Sequence, residues 1–368
     1  MAFFAPRTAF PPLNSLPRSY FLGHHKAGLA KMKTLLGTID LVLECRDYRI
    51  PLTSRNPLFE QTLEGKERVV VYTHRDLGGD MRDKRVEEVV KKWDGYGNTL
   101  FVSNDRRAMG PGTNTRNGGV RNVLNFLKEH AEQRWKLVGH RIMVVGMPNV
   151  GKSTLLNALR VLGVGKGKVA GTGAQPGVTR KVGTGVKIIG GEDDYREVEA
   201  RGGRNGGVGG GVYLLDTPGV FIPYVPDAEA MMKLALCGSV KDTIIPPVML
   251  ADYLLYAINL YSSPRVYAEY CEPTNDVVQL LEAVARKTGR LGKGGVADTE
   301  ATALWIIQRW RQGFLGRFLL DVVDEGAWER TKILEDDGNK VVSLNQARKM
   351  ERERRRERSR ARGAAKVV

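Results

Sequence analysis

One string limits what this chain can become. Gly146-Met-Pro-Asn-Val-Gly-Lys-Ser-Thr154 fits G-x-x-x-x-G-K-[ST], a loop whose backbone N–H groups close around an anion at a helix N-terminus. Such a loop needs a strand before it and a helix after it. Arg141-Ile-Met-Val-Val145 reads as a buried strand, and Thr154 to Leu162 as a helix. Gly146 and Gly151 supply torsions and a close backbone approach that a Cβ would block. Lys152 is expected to reach the β- and γ-phosphates of a nucleotide and the Ser153 hydroxyl to sit on Mg²⁺, with Asn149, Val150, Gly151 and Thr154 lining the same cradle. A glycine-rich strand-to-helix turn that binds nothing has the same pattern, so the reading depends on supporting parts elsewhere.

Two of those parts follow the loop. Pro176-Gly-Val-Thr-Arg180 places Thr179 where a switch threonine would coordinate Mg²⁺ and present its amide to a γ-phosphate. Val212-Tyr-Leu-Leu-Asp-Thr-Pro-Gly219 reads as a strand ending in D-x-x-G. Asp216 is expected to hold the metal through water and the Gly219 N–H to sense the γ-phosphate.

The base reader lies upstream instead. Arg68-Val-Val-Val-Tyr-Thr-His-Arg-Asp-Leu77 is an apolar strand running into Thr73-His-Arg-Asp76, a variant of [NT]-K-x-D. A carboxylate at Asp76 accepts from both the ring N–H and the exocyclic amine of guanine, whereas adenine offers no matching donor pair. His74 stands where that pattern has lysine; an imidazole stacks on a base but reaches less far. A strand-end turn capped by Asp76 is the plainer alternative. Ser103 and Asn104, after Thr99-Leu-Phe-Val, resemble a second guanine-contacting loop.

Guanine readers that precede the phosphate loop mean a motif order rotated relative to an ordinary GTPase. Circular permutation preserves a site when the original termini lie close together. This order, with Tyr20-Phe-Leu-Gly-His-His25, Asp47-Tyr-Arg-Ile-Pro-Leu-Thr-Ser-Arg-Asn-Pro57 and Leu236-Cys-Gly-Ser-Val-Lys-Asp242, resembles circularly permuted GTPases of the YlqF type, and above all their mitochondrial ribosome-associated branch. The resemblance covers about residues 19 to 320. It implies GTP hydrolysis coupled to binding of the large ribosomal subunit and its rRNA.

Position 220, where many GTPases carry a water-orienting glutamine, is Val220 here, which predicts slow intrinsic turnover. The resemblance offers His24 as a catalytic replacement, since histidine titrates near neutrality; a surface histidine at a helix start, or a group supplied by rRNA, are the alternatives. It also implies K⁺ at Asn149, against a side chain that only stabilises the loop.

The expected fold class is α/β: a P-loop GTPase domain of permuted order over 20–225, a small all-helical domain over 226–325 facing rRNA, and a linker with an Arg-rich tail over 326–368. Helices are expected at Ala228 to Lys241, Val248 to Tyr261, Asn275 to Lys287 and Thr299 to Arg311. The glycine-rich stretch from Gly190 to Gly211 is expected to be a surface insertion too flexible to pack. Residues 1–19 resemble a mitochondrial leader, with Arg7, Arg18 and no acid before Asp40, although four prolines interrupt any long helix there.

A formal net charge of +16 makes a polyanionic partner plausible, and three scattered cysteines argue against a zinc site or a disulfide framework. No membrane span is evident, and peripheral association with the matrix face of the inner membrane stays open. The leading reading is a GTPase assembly factor for the mitochondrial large ribosomal subunit. An RNA-binding scaffold with a degenerate nucleotide site and a signalling or transport NTPase are the others.

Overall fold

The computed structural model describes residues 4–11, 16, 23–94, 99–103, 118–170, 184–194, 207–222, 225, 227–331, 349, 352–353 and 356, with only the backbone of 23 and 24. Most of the Arg-rich tail, Asn104 and Thr179 therefore lie outside the described residues, as does the side chain of His24.

Six strands form one sheet: β1 Leu41–Asp47, β2 Arg68–Thr73, β3 Thr99–Phe101, β4 His140–Gly146, β5 Val186–Ile189 and β6 Val212–Asp216. Their order is β3-β2-β1-β4-β6-β5, parallel throughout except for the antiparallel edge pair β5 and β6. Parallel pairing brings the carboxyl ends of β1, β2, β3, β4 and β6 to one edge, where ligands of open α/β sheets bind. The rotated order of the motifs in sequence thus becomes a contiguous row in space. Helices α1 Gly23–Leu35, α2 Pro57–Thr62, α3 Arg85–Asp94, α4 Gly118–Gln133 and α5 Lys152–Val164 complete this unit, which spans 22–76 and 81–221.

β1 is buried along its whole length although it carries Glu44, Arg46 and Asp47. The charges survive burial because they are paired. Arg46 donates to Glu44 at 2.7 Å and to Asp94 at 2.8 Å, while Arg49 forks onto Asp47 at 3.0 and 2.6 Å. Removing either partner of such a pair would strand a buried charge at a cost of about 3–5 kcal/mol.

The second unit takes in residues of 1–21, 77–80 and 222 onward. Its helices are α6 Ala228–Leu236, α7 Pro247–Tyr261, α8 Val277–Thr288 and α9 Thr299–Arg311. α6 stops five residues short of Lys241, and Gly238 at φ 82° follows it as a left-handed turn. Pro247 opens α7 at a position where its missing N–H costs nothing. Asp298 caps α9 by accepting from the Ala301 N–H at 2.9 Å. On α9, Ala303, Ile307 and Trp310 are buried, whereas Phe314 beyond it is half-buried under the Arg309 guanidinium, 3.5 Å from the ring centre.

The stretch from Gly190 to Gly211 corrects one expectation, because its two ends are packed. Glu192 and Val208 donate to the carbonyls of Gly209 and Gly190 at 2.9 and 3.1 Å. A Cβ on Gly210 would lie 2.1 Å from the Leu137 carbonyl oxygen. Glycine here allows backbones to touch. Abundant glycine in a sequence suggests flexibility, but at both ends of this stretch it serves close packing.

Candidate functional site

The phosphate loop joins β4 to α5 as its sequence demands. Gly146 at φ 149° and Gly151 at φ 84° sit in left-handed or strained backbone, and a Cβ on Gly146 would come within 2.4 Å of the Cys45 carbonyl oxygen. Asn149 takes φ 58° without being glycine. That is a cost tolerated where the surrounding structure fixes the turn.

Lys152 is buried and donates to the carbonyls of Met147 and Gly146 at 2.7 and 3.3 Å, which holds its ammonium over the loop. Burial pushes its pKa below the ordinary lysine value, while the charge of Asp216 opposes this. Beside it the Ser153 hydroxyl donates to Asp216 Oδ2 at 2.6 Å, joining the start of α5 to the end of β6. The other oxygen, Asp216 Oδ1, is buried and has no hydrogen-bond partner among the described residues. A hydroxyl next to a carboxylate with one unsatisfied oxygen is a donor set suited to a hard cation such as Mg²⁺, which accepts oxygen ligands only.

The D-x-x-G segment lies directly on the loop. A Cβ on Gly219 would stand 2.5 Å from Pro148 Cα, and the Val220 N–H donates to the Gly146 carbonyl at 3.2 Å. Thr217 donates to the Val144 carbonyl at 2.6 Å. Val220 and Phe221 are fully buried, and their hydrocarbon side chains carry no polar atom that could orient a water.

The residues after β2 meet the same loop from the other side. The Thr73 hydroxyl lies 2.8 Å from the Val150 carbonyl and 3.1 Å from that of Arg46. A Cβ on Gly151 would be 3.5 Å from Thr73 Cβ and 3.6 Å from His74 Cε1. His74 has φ 56° and directs Nδ1 toward the Thr73 hydroxyl at 3.1 Å and Asp47 at 3.5 Å. Burial lowers its pKa, with Asp47 opposing, so the ring is neutral at pH 7. Asp76 is buried in the short turn Arg75–Leu77 that follows. Arg75 locks this turn by donating to Glu87 at 2.6 Å and lying 4.7 Å from the Tyr48 ring centre. Among the described residues, Ser103, after β3, donates to the Met81 sulfur at 3.8 Å.

Two side chains not singled out for this role brace the exit of the D-x-x-G segment. Asn56 donates to the Val220 carbonyl at 2.7 Å while its oxygen caps α2 through the Leu58 N–H at 3.1 Å. His25 is buried, and its Nδ1 accepts the Phe221 N–H at 2.9 Å. Both belong to stretches on which the resemblance rests, but their partners are 164 and 196 residues away. No spacing rule reaches that far.

Comparison with known proteins finds a matching family and several similar proteins. The family described as 50S ribosome-binding GTPase matches residues 141–282. Mitochondrial GTPase 1 of Schizosaccharomyces japonicus is 35% identical, covering 90% of this chain and 97% of that protein. Mitochondrial ribosome-associated GTPase 1 of Xenopus tropicalis is 33% identical over 82% of this chain and 94% of its own. Among solved structures, GNP-bound YlqF from T. maritima is similar at 20% identity and a TM-score of 0.48, covering 80% of this chain and 97% of that one.

Proposed function

The chain belongs to the family of mitochondrial GTPases that includes the ribosome-associated GTPases 1, and from that premise we propose that it is a GTP-binding and GTP-hydrolysing assembly factor for the mitochondrial large ribosomal subunit, docking on rRNA with GTP bound and leaving on hydrolysis. The observation that carries a guanine-nucleotide pocket is the Thr73 hydroxyl at 2.8 Å from the Val150 carbonyl. It ties the segment that carries Asp76 to the loop that carries Lys152.

In this reading Asp76 accepts the two guanine N–H groups, His74 flanks the base, and Ser103 and Asn104 close its far side. The loop amides of Asn149 to Thr154 and the Lys152 ammonium take the phosphates. Ser153 and Asp216, with Thr179, hold Mg²⁺, which when bound neutralises charge on the β- and γ-phosphates. Gly219 reports the γ-phosphate. Because Gly219 packs on Pro148 and Val220 is stitched to Gly146, any shift of the loop is passed to residues 220–221. Buried Val220 supports slow intrinsic hydrolysis, with His24 or rRNA supplying the missing group.

Asn149, with its backbone fixed at φ 58°, is the residue to which K⁺ binding is assigned. Faster turnover in KCl than in NaCl is expected, and equal rates would remove that part. The relatives' names and the chain's charge of +16 support a mitochondrial, rRNA-binding role. Among the described residues no helix is long and apolar enough to cross a membrane.

Gradient sedimentation of mitochondrial lysate tests the proposal. The protein should move to the large particle with a non-hydrolysable GTP analogue and not with GDP. Identical profiles, together with no saturable binding of fluorescent GDP, would instead favour an RNA-binding scaffold.

A further inference from the structure

Residues 4–11 sit on the helical unit in a way that nucleotide chemistry does not explain. Phe4, Arg7 and Phe10 are half-buried, while Ala5, Pro6, Thr8, Ala9 and Pro11 are exposed. Half-burial thus recurs at every third residue, and the chain bends at Thr8 and Ala9 between Arg7 and Phe10.

The seat matches that repeat. Arg7 forks onto the carboxylate of Asp252, at 2.6 Å to Oδ1 and 3.3 Å to Oδ2. Its guanidinium also lies 5.5 and 5.9 Å from the ring centres of Phe10 and Tyr256. Phe10 meets Tyr253 edge-on, with ring centres 5.2 Å apart and planes at 82°. The backbone is held as well. Asn275 donates to the Ala5 carbonyl at 2.8 Å and accepts the Arg7 N–H at 3.4 Å, and the Tyr256 hydroxyl donates to the Thr8 carbonyl at 3.4 Å.

Asp252, Tyr253 and Tyr256 share α7, and Asn275 lies just ahead of α8. Aromatic rings, one acid and an amide that brackets main chain together hold both the side chains and the backbone of a short peptide. We propose that this face of α7 is a peptide-binding groove for a segment of the pattern aromatic-x-x-Arg-x-x-aromatic, and that its resident ligand is the chain's own residues 4–11. The segment occupies the groove from within the same chain, so a free peptide of the same sequence competes poorly. Proteolytic removal of a leader would uncover the groove.

A fluorescein-labelled peptide of residues 4–11, titrated by anisotropy against the full chain, tests this. Wild type should bind it at least tenfold more weakly than the double variant Arg7→Glu/Phe10→Ala. Adding Asp252→Asn to that variant should weaken binding tenfold again. Equal affinity for wild type and double variant overturns the proposal. So does absence of binding to a double variant that keeps wild-type circular dichroism and GDP affinity. If the double variant does not fold, Asp252→Asn alone should speed tryptic cleavage after Arg7 at least tenfold, and an unchanged rate overturns the proposal.

Discussion

The Thr73 hydroxyl, between the carbonyls of Val150 and Arg46, shows how a residue picked for one reason can act for another. Its place in the Thr73-His-Arg-Asp76 string was legible, whereas its grip on the phosphate loop was not, because a contact across 77 residues leaves no trace in local spacing. His74 departs from the lysine of the pattern, and its positive φ and short reach to Asp47 give that departure a structural form. A second histidine, His140 at the start of β4, is fully buried. Burial lowers its pKa below the ordinary 6.5, with Asp40 partly opposing. Between that lowered value and 6.5 the unfolded chain holds a proton that the folded chain does not. Stability from this group is therefore complete above pH 6.5 and is lost as pH falls through that window. Thermal melts from pH 7 to 5.5 should show a declining midpoint, and His140→Gln should make the decline shallower.

Among the elements, β4, β6 and β2 were readable because their apolar runs end in recognisable loops. β1 was hidden by Glu44, Arg46 and Asp47, which look like surface residues until their buried partners are known. α6 ended early for a reason present in the sequence, a glycine at 238, that helical periodicity outweighed. α5 depends on another glycine. A Cβ at Gly163 would lie 1.8 Å from the Ile188 carbonyl oxygen on β5 and 3.2 Å from Leu124. Backbone cannot yield as a flexible side chain can, so Gly163→Ala should destabilise by about 1–3 kcal/mol through overpacking. Urea unfolding measures this, and a stability unchanged within about 0.5 kcal/mol would mean that α5 and β5 are not packed as described.

For the whole molecule, the decisive property is that five parallel strands deliver their carboxyl ends to one edge whatever their order in the chain. That geometry lets a rotated set of motifs line one edge of the sheet, and it is why the fold could be read from sequence while the braces could not. Asn56 and His25, holding residues 220 and 221, and Arg7 seated on α7 all act at sequence separations beyond 160. The chain belongs to a family whose members are named mitochondrial GTPases, and the proposed coupling to rRNA rests on Gly219 and Val220 being stitched to the loop.

The most direct test exchanges one acceptor for one donor at the base end of the pocket. Asp76→Asn, titrated in parallel with fluorescent GDP and its xanthosine counterpart, should lose GDP affinity by about tenfold or more and gain the xanthosine nucleotide by a comparable factor, as one reversed hydrogen-bond pair is worth roughly 1–3 kcal/mol. An Asp76→Asn variant that keeps the wild-type preference for GDP would contradict the single-pocket account.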